Sequence, residues 1–253
     1  DIAIDYGQLV IAYRLTPATI RGLAKQHSKL LLEQVDPRSV AFYLAELEPY
    51  SQKAASGKHP LTSMLAPAFE LARQRSDGGY DPIMENSAAL FALTLFVTKP
   101  EVIESMGLAE RFGYPARQLT LTLYRRNDLA NHFLTSAMIS LFAGDQVAML
   151  MGIQKELEDS QRATGFDVAD LMADKAGIRF AEVATANENS ARRLQQQMVQ
   201  VLYDDEIMPN PKNLPTVDEY ELANLNDREL EAYLKGVENQ LNQLLASVEL
   251  YRG

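Results

Sequence analysis

The amino-acid sequence predicts a mostly α fold: a helical, bundle-like single domain with one or two short strands and a C-terminal helix after a proline-rich hinge. Three observations support this prediction. Apolar residues recur three and four positions apart through most of the chain, which is the spacing of one helix face. The pairs Asp36-Pro37 and Asp81-Pro82 place an N-cap carboxylate before a proline, which suits a first helical turn. Alternation of apolar and polar side chains, as in a half-buried strand, is found at 118–124.

Proline, glycine and capping residues divide the helical pattern into segments. The helix that begins at Pro82 is apolar on most sides, so we expect it to be central. The long helix predicted at 167–203 becomes polar after Thr185, and this half is expected to be solvent-exposed or to face a partner. In chain order the predicted elements are a β-like run at 8–16, helices from Pro17, Pro37 and the His59-Pro60 pair, the Pro82 helix, a helix at 102–111, the strand at 118–124, and helices at 128–143, 145–160 and 167–203.

The chain is expected to divide into three parts. Residues 1–203 form the helical domain, 204–217 form a linker with closely spaced prolines and solvated acidic residues, and 218–253 form a C-terminal helical segment. The pair Asn226-Asp227 caps the final helix, which carries leucines at helical spacing. We expect this helix either to dock on its own domain or to bind a second chain, as a protein partner or in a homo-oligomer.

Composition bounds the function before any motif is considered. The chain has 253 residues and a net charge of −10, from 24 basic and 34 acidic residues, which argues against nucleic-acid binding. The absence of cysteine excludes disulfides, thiolate metal sites and a cysteine nucleophile. Apolar runs fall short of the ~18–20 residues that a membrane-spanning helix needs. The sequence begins at Asp1 rather than Met, so we expect a trimmed N-terminal segment, which could supply peripheral membrane association.

Strong catalytic and cofactor signatures are absent from the sequence. It contains no HExxH, P-loop, dinucleotide-binding, GxSxG or EF-hand pattern. The three histidines, His27, His59 and His132, lie on separate predicted elements without metal-ligand spacing. His27 and His59 lie in polar contexts, so we expect both at the surface.

Residues 128–177 carry the candidate site. On each of three successive predicted helices, polar and charged side chains form a stripe between large apolar residues. Short loops favour antiparallel packing of successive helices, so we expect the stripes to converge. Asp128, His132 and Ser136 form the first stripe. The candidate catalytic residues of the three stripes are His132, Lys155, Glu156, Asp159, Asp170 and Asp174.

The converging stripes have two interpretations. Close carboxylates raise one another's pKa and a histidine beside a carboxylate can move protons, so the cluster could supply a general acid and base. Oxygen ligands with one imidazole suit Mg²⁺ or Mn²⁺, so a divalent cation is the one cofactor suggested. Alternatively, the same residues form ion pairs that fix helix packing, or are plain exposed positions. Gly152 and Gly177 favour close helix packing under either interpretation.

The three stripes resemble a pattern in small bacterial envelope proteins. The matching residues are, in order, Asp128-x3-His132-Phe133-x2-Ser136-Ala137, Gly152-x2-Lys155-Glu156-x2-Asp159 and Gly165-Phe166-x3-Asp170-Leu171-x2-Asp174-x2-Gly177. These envelope proteins are predicted lipoproteins of unknown activity, loosely related to the VanZ-like membrane family. The resemblance implies an envelope location and marks the six candidate residues as the positions to watch, but it implies no reaction.

The sequence supports three hypotheses about function, each from a different class of protein. The first hypothesis is a non-enzymatic protein of the bacterial cell envelope, periplasmic or lipid-anchored, that binds a partner or assists assembly; the alternative location is the cytoplasm. The second is a hydrolase of an envelope substrate, with Glu156 or Asp174 as general base or metal ligand, His132 transferring protons and Lys155 holding an anionic group. The hydrolase requires these side chains around one solvent-reachable cavity. A small-ligand carrier with an apolar helical pocket is a third hypothesis.

Overall fold

Helices make up most of the computed structural model, which describes residues 35–52, 57–105, 108–143, 166–217 and 224–252. The mostly α fold with short strands is confirmed. The helices are α1 (Pro37–Gln52), α2 (Thr62–Asp77), α3 (Pro82–Val97), α4 (Pro100–Ser105), α5 (Leu108–Phe112), α6 (Asn127–Ala143), α7 (Val168–Thr185), α8 (Glu188–Met198) and α9 (Asp227–Leu245). The elements predicted at 8–16, from Pro17 and at 145–160 lie outside the described residues.

Helix α3 lies at the centre of the core, as its apolar sequence predicts. Asp81 caps the helix, because its Oδ1 accepts hydrogen bonds from the backbone N–H groups of Ile83 at 2.8 Å and Met84 at 3.1 Å. The helix is buried on most sides and packs against α1, α2, α6, α7 and α8. Helices α6 and α7 form the most extensive pair in the described part of the chain, and their interface holds the candidate site.

Two short strand pairs connect loops to the helices. β1 (His59–Pro60) is parallel to β2 (Leu121–Thr122), and β3 (Phe166–Asp167) is antiparallel to β4 (Thr216–Val217). The strand predicted at 118–124 therefore reaches regular pairing only at its centre.

The helix predicted from the His59-Pro60 pair is present but begins at Thr62, so the prediction that this pair opens it is wrong. The backbone N–H groups of His59 and Leu61 donate to the carbonyl oxygens of Thr120 and Thr122 at 3.0 and 2.8 Å, so this segment pairs as a strand. The expected surface position of His59 is also wrong, because the residue is only 8% exposed. Burial lowers the pKa of its imidazole.

The single helix predicted at 167–203 is two helices, α7 and α8. Asn187 interrupts it: its backbone is extended, and its side-chain oxygen accepts a hydrogen bond from the Ser190 backbone N–H at 3.0 Å. Helix α8 packs on α2 and α3 and is not an exposed arm. Its apolar residues are few but share one face, where Ala191, Leu194 and Met198 are fully buried.

Residues 204–217, predicted as a linker, are largely packed against the helical domain. Ile207 and Met208 are fully buried, and the Asp204 carboxylate accepts a hydrogen bond from the Tyr124 backbone N–H at 2.6 Å. Asp204 is therefore not a solvated linker residue, and its burial raises its pKa. One 3-10 turn lies at Asp204–Glu206, a second at Pro211–Asn213 begins with a proline, and β4 closes the segment.

Helix α9 docks on its own chain in this structure. Asn226 and Glu229 form a reciprocal capping box at its start, and its leucines are largely buried. One apolar stripe points inward, formed by Leu230, Leu234, Val237, Leu241 and Leu245. Among the described helices, none combines the length and apolar character needed to cross a membrane.

Candidate functional site

The candidate site depends on an unusually close approach of α6 and α7. Gly177 on α7 faces the backbone of α6, and a Cβ atom there would clash with the carbonyl oxygen of Phe133. Only glycine permits this contact without moving one helix. The approach brings the polar stripe of α6 against that of α7, so the packing predicted from Gly177 is also what assembles the site.

His132 lies between two carboxylates of α7. Its Nδ1 is 2.9 Å from Asp174 Oδ1, and its Nε2 is 3.3 Å from Asp170 Oδ2. Ser136 Oγ donates to the same Asp174 oxygen at 2.6 Å. The side chains of His132, Asp170 and Asp174 are only 7%, 10% and 3% exposed. The convergence expected for these three residues is therefore present, deep between the helices.

These contacts set the charge of His132. Burial alone lowers the pKa of the imidazole, but the hydrogen bonds and negative charges of Asp170 and Asp174 outweigh it and raise the pKa to about 10. At neutral pH the ring is therefore an imidazolium whose two N–H groups both donate to carboxylates. In that state it has no lone pair with which to bind a metal ion or accept a proton.

Arg126 supplies the second positive charge of the site. Its Nη2 lies 2.6 Å from Asp128, 2.8 Å from Asp167 and 2.7 Å from Asp170. The hydrogen bonds and negative charges of Asp128, first, and of Asp167 raise the pKa of the guanidinium further, against the effect of burial. We call the set Arg126, Asp128, His132, Ser136, Asp167, Asp170 and Asp174 the His132 network.

A strained turn aims Arg126 at the carboxylates. Leu123 and Arg126 exchange two backbone hydrogen bonds of 2.9 Å, and the residues between them, Tyr124 and Arg125, have φ angles of 51° and 65°. Neither is glycine, so both sit in the left-handed region at a cost. Tyr124 holds the turn in place, since its hydroxyl donates to the Met208 carbonyl at 2.7 Å.

One oxygen of the network has no donor among the described residues. Asp174 Oδ2 is buried and forms no hydrogen bond there, although Oδ1 of the same carboxylate accepts from both His132 and Ser136. A buried carboxylate oxygen without a donor is costly. It is the one feature of the network that a purely structural ion pair leaves unexplained.

The structure distributes the six predicted site residues unevenly. It brings His132, Asp170 and Asp174 together, while Lys155, Glu156 and Asp159 lie outside the described residues. Their catalytic role stays a prediction. Sequence reasoning missed Arg126 and Asp167, although Arg126 lies only two residues before Asp128 and Asp167 caps helix α7 by accepting from Ala169 N–H at 2.8 Å.

A second buried polar network, the Arg75 network (Ser39, Tyr43, Arg75 and Glu85), joins α1, α2 and α3. Arg75 Nε and Nη2 contact the Glu85 carboxylate at 2.6 and 3.0 Å, and Tyr43 donates to the same carboxylate at 2.7 Å. The Arg75 guanidinium also lies between the rings of Phe42 and Tyr80, at 4.4 and 4.0 Å from their centroids. Nothing in the sequence pattern indicated this network.

A metal centre is not formed by the described residues, in which no three His, Asp or Glu side chains are grouped so as to hold an ion. In the His132 network the guanidinium of Arg126 and the imidazolium of His132 are the cations that contact the described carboxylates. No family model, curated protein or solved structure matches the chain.

Proposed function

We propose that this chain is a non-enzymatic protein of the bacterial cell envelope, periplasmic or lipid-anchored, with a binding or assembly role. The observation that carries the proposal is the state of His132. The one histidine of the candidate site is buried between two carboxylates with both nitrogens engaged. This arrangement holds α6 against α7 and leaves the imidazole without a free nitrogen for chemistry.

The pKa of His132 supports a structural role. A general acid or base works best when its pKa lies near the operating pH. With a pKa of about 10 the imidazole stays protonated through the neutral range. Its separation from solvent also keeps substrate from the ring, since the side chain is 7% exposed.

The envelope location is supported by the resemblance of residues 128–177 to envelope lipoproteins. It is tested by expressing the full-length gene product in its native cells and separating cytosol, osmotic-shock fluid and membranes. Recovery in the shock fluid or with the membranes is expected, and deletion of the gene should sensitise the cells to detergent or to large antibiotics. Recovery in the cytosol together with an unchanged envelope would overturn the proposal.

The structural role of His132 is tested by its ring ¹⁵N chemical shifts between pH 6 and 9.5. Both nitrogens should keep the shifts of an imidazolium up to at least pH 8.5. A titration centred near pH 7 would show a proton-exchanging histidine and would contradict the proposal.

A hydrolase acting on an envelope substrate is the second candidate, and one observation favours it. Asp174 Oδ2 is buried without a donor among the described residues, as a carboxylate reserved for a reacting group would be. The two candidates differ in the thermal stability of Asp174→Asn. A more stable variant would favour a strained catalytic carboxylate, whereas a loss of stability would favour the ion-pair network.

A further inference from the structure

Large apolar side chains are concentrated in the short turn that follows helix α8. Val199, Leu202 and Tyr203 are 41%, 70% and 68% exposed, and the last two are the most exposed large apolar residues of the described chain. Isolated exposed apolar residues are common, whereas these three lie within five positions of one another in the chain. We call these three residues the 199–203 patch.

The backbone beneath the patch is fixed. The Glu206 carboxylate accepts hydrogen bonds from the backbone N–H groups of Leu202 at 2.8 Å and Tyr203 at 2.7 Å. Val201, Ile207 and Met208 are buried in the core on either side. The turn therefore projects Leu202 and Tyr203 from an anchored backbone, so little conformational entropy would be lost when they bind.

The charge beside the patch is negative. Asp204, Asp205 and Glu206 follow it directly, and Asp205 is exposed. The Asp204 carboxylate is half-buried and accepts from the Tyr124 backbone N–H, so the exposed negative charge beside the patch comes from Asp205 and Glu206. An anionic lipid surface would be repelled by such a rim, whereas lysine or arginine on a protein would be attracted.

We propose that the 199–203 patch is the docking surface for a protein partner that offers an apolar pocket rimmed by lysine or arginine. Tyr203 and Leu202 enter the pocket, and the basic rim meets the exposed carboxylates of Asp205 and Glu206. Tyrosine at the centre of an apolar contact is typical of residues that dominate binding energy. This inference rests on the proposed binding role and names its surface and the chemistry of its partner.

The test uses photo-crosslinking in native cells with the full-length protein. A photoreactive benzoylphenylalanine replaces Val199 in one strain, and it replaces the exposed Tyr80 or Tyr114, away from the patch, in two control strains. We expect a protein adduct specific to position 199, whose crosslinked peptide, identified by mass spectrometry, carries lysine or arginine beside apolar residues. The double substitution Leu202→Ser with Tyr203→Ser should lower the adduct yield about ten-fold or more, while Tyr114→Ser, at an exposed tyrosine outside both buried networks, should not.

Other outcomes overturn the inference. An adduct whose contact peptide is acidic, or a yield unchanged by the double substitution, excludes the proposed partner chemistry. Binding of the purified protein to anionic phosphatidylglycerol vesicles, lost in the double variant, would assign the patch to a membrane instead. Adducts at Tyr80 or Tyr114 but none at 199 would refute the surface and leave the binding role standing. The absence of protein adducts at all three positions, with recovery of the protein in the cytosol, would count against both.

Discussion

The two buried polar networks of this protein differ in how their charge is balanced. In the Arg75 network one guanidinium meets one carboxylate, and hydroxyls of Ser39 and Tyr43 complete the hydrogen bonding. In the His132 network four carboxylates surround two cations, one of which is an imidazolium. The first cation is permanent, whereas the second exists only while His132 keeps its proton. The comparison predicts that only the His132 network loses its cation in alkaline solution.

Replacement of His132 by glutamine should have the largest effect. At pH 6 the variant removes the cation that Asp174 contacts and leaves Asp170 with Arg126 alone, so the free energy of unfolding should fall by about 3–5 kcal/mol. The folded-state pKa of His132 is raised from 6.5 to about 10, so its stabilisation is fully present below pH 6.5 and is lost as pH rises towards 10. Urea denaturation of both proteins between pH 6 and 9.5 should show the difference narrowing by more than half.

His59→Gln is the matched control, because the pKa of this buried histidine is shifted the other way. Its folded-state pKa is below 6.5, so it reduces stability as pH falls below that value. The difference in unfolding free energy between this variant and wild type should therefore change with pH mainly in acid and stay constant between pH 7 and 9.5. If the two histidine variants showed the same pH dependence, the charge state assigned to His132 would be incorrect.

Glu85→Gln tests the balanced network. It leaves the Arg75 guanidinium, 18% exposed, without a countercharge, and the expected loss of unfolding free energy is about 3 kcal/mol. The Glu70–Arg73 pair, with side chains 30% and 37% exposed, offers the control, because Glu70→Gln on the same α2 helix should cost less than about 1 kcal/mol. If urea denaturation at pH 7 showed the same loss of unfolding free energy in both variants, burial would not strengthen the Arg75–Glu85 ion pair.

Gly177→Ala should disturb the His132 network and leave the Arg75 network unchanged. The added methyl group must push α7 away from Phe133 of α6, at an expected cost of about 2–3 kcal/mol. The His132 network should loosen, visible as changed His132 ring shifts, while the ring resonances of Tyr43 in the Arg75 network should stay. Gly236→Ala on α9 is the control: its Cβ meets nothing within 4 Å, so helix propensity should add up to about 1 kcal/mol.

The sequence predicts the helical residues of the candidate site but not Arg126. A spacing of four residues places His132 with Asp128 and Ser136, and Asp170 with Asp174, so their shared faces follow from helix geometry. The helix break at Asn187 was not predicted, although asparagine is a favoured N-cap residue. Arg126 was not predictable in this way, because it is aimed by a turn that contains no glycine and that contacts residues 80 positions further along the chain. The Arg75 network likewise joins residues 36–46 positions apart. Local periodicity carries no information about such pairs.

Relief of strain in the turn before Arg126 should have the smallest effect on stability. It tests how this turn positions Arg126 in the His132 network. Arg125 is exposed and has a φ angle of 65°. Its replacement by glycine should raise the free energy of unfolding by about 1–2 kcal/mol, because left-handed strain is relieved. Glycine also gives the unfolded chain about 0.5–1 kcal/mol of extra entropy, so the net gain should be about 0.5–1 kcal/mol. Arg117→Gly is the control: this exposed residue is not left-handed, so the same substitution should only destabilise. Chemical denaturation at pH 7 measures both variants. A gain at Arg125 with unchanged His132 ring shifts would mean that the turn aims Arg126 through its shape alone. A loss would mean that the Arg125 side chain is itself part of what holds the His132 network together.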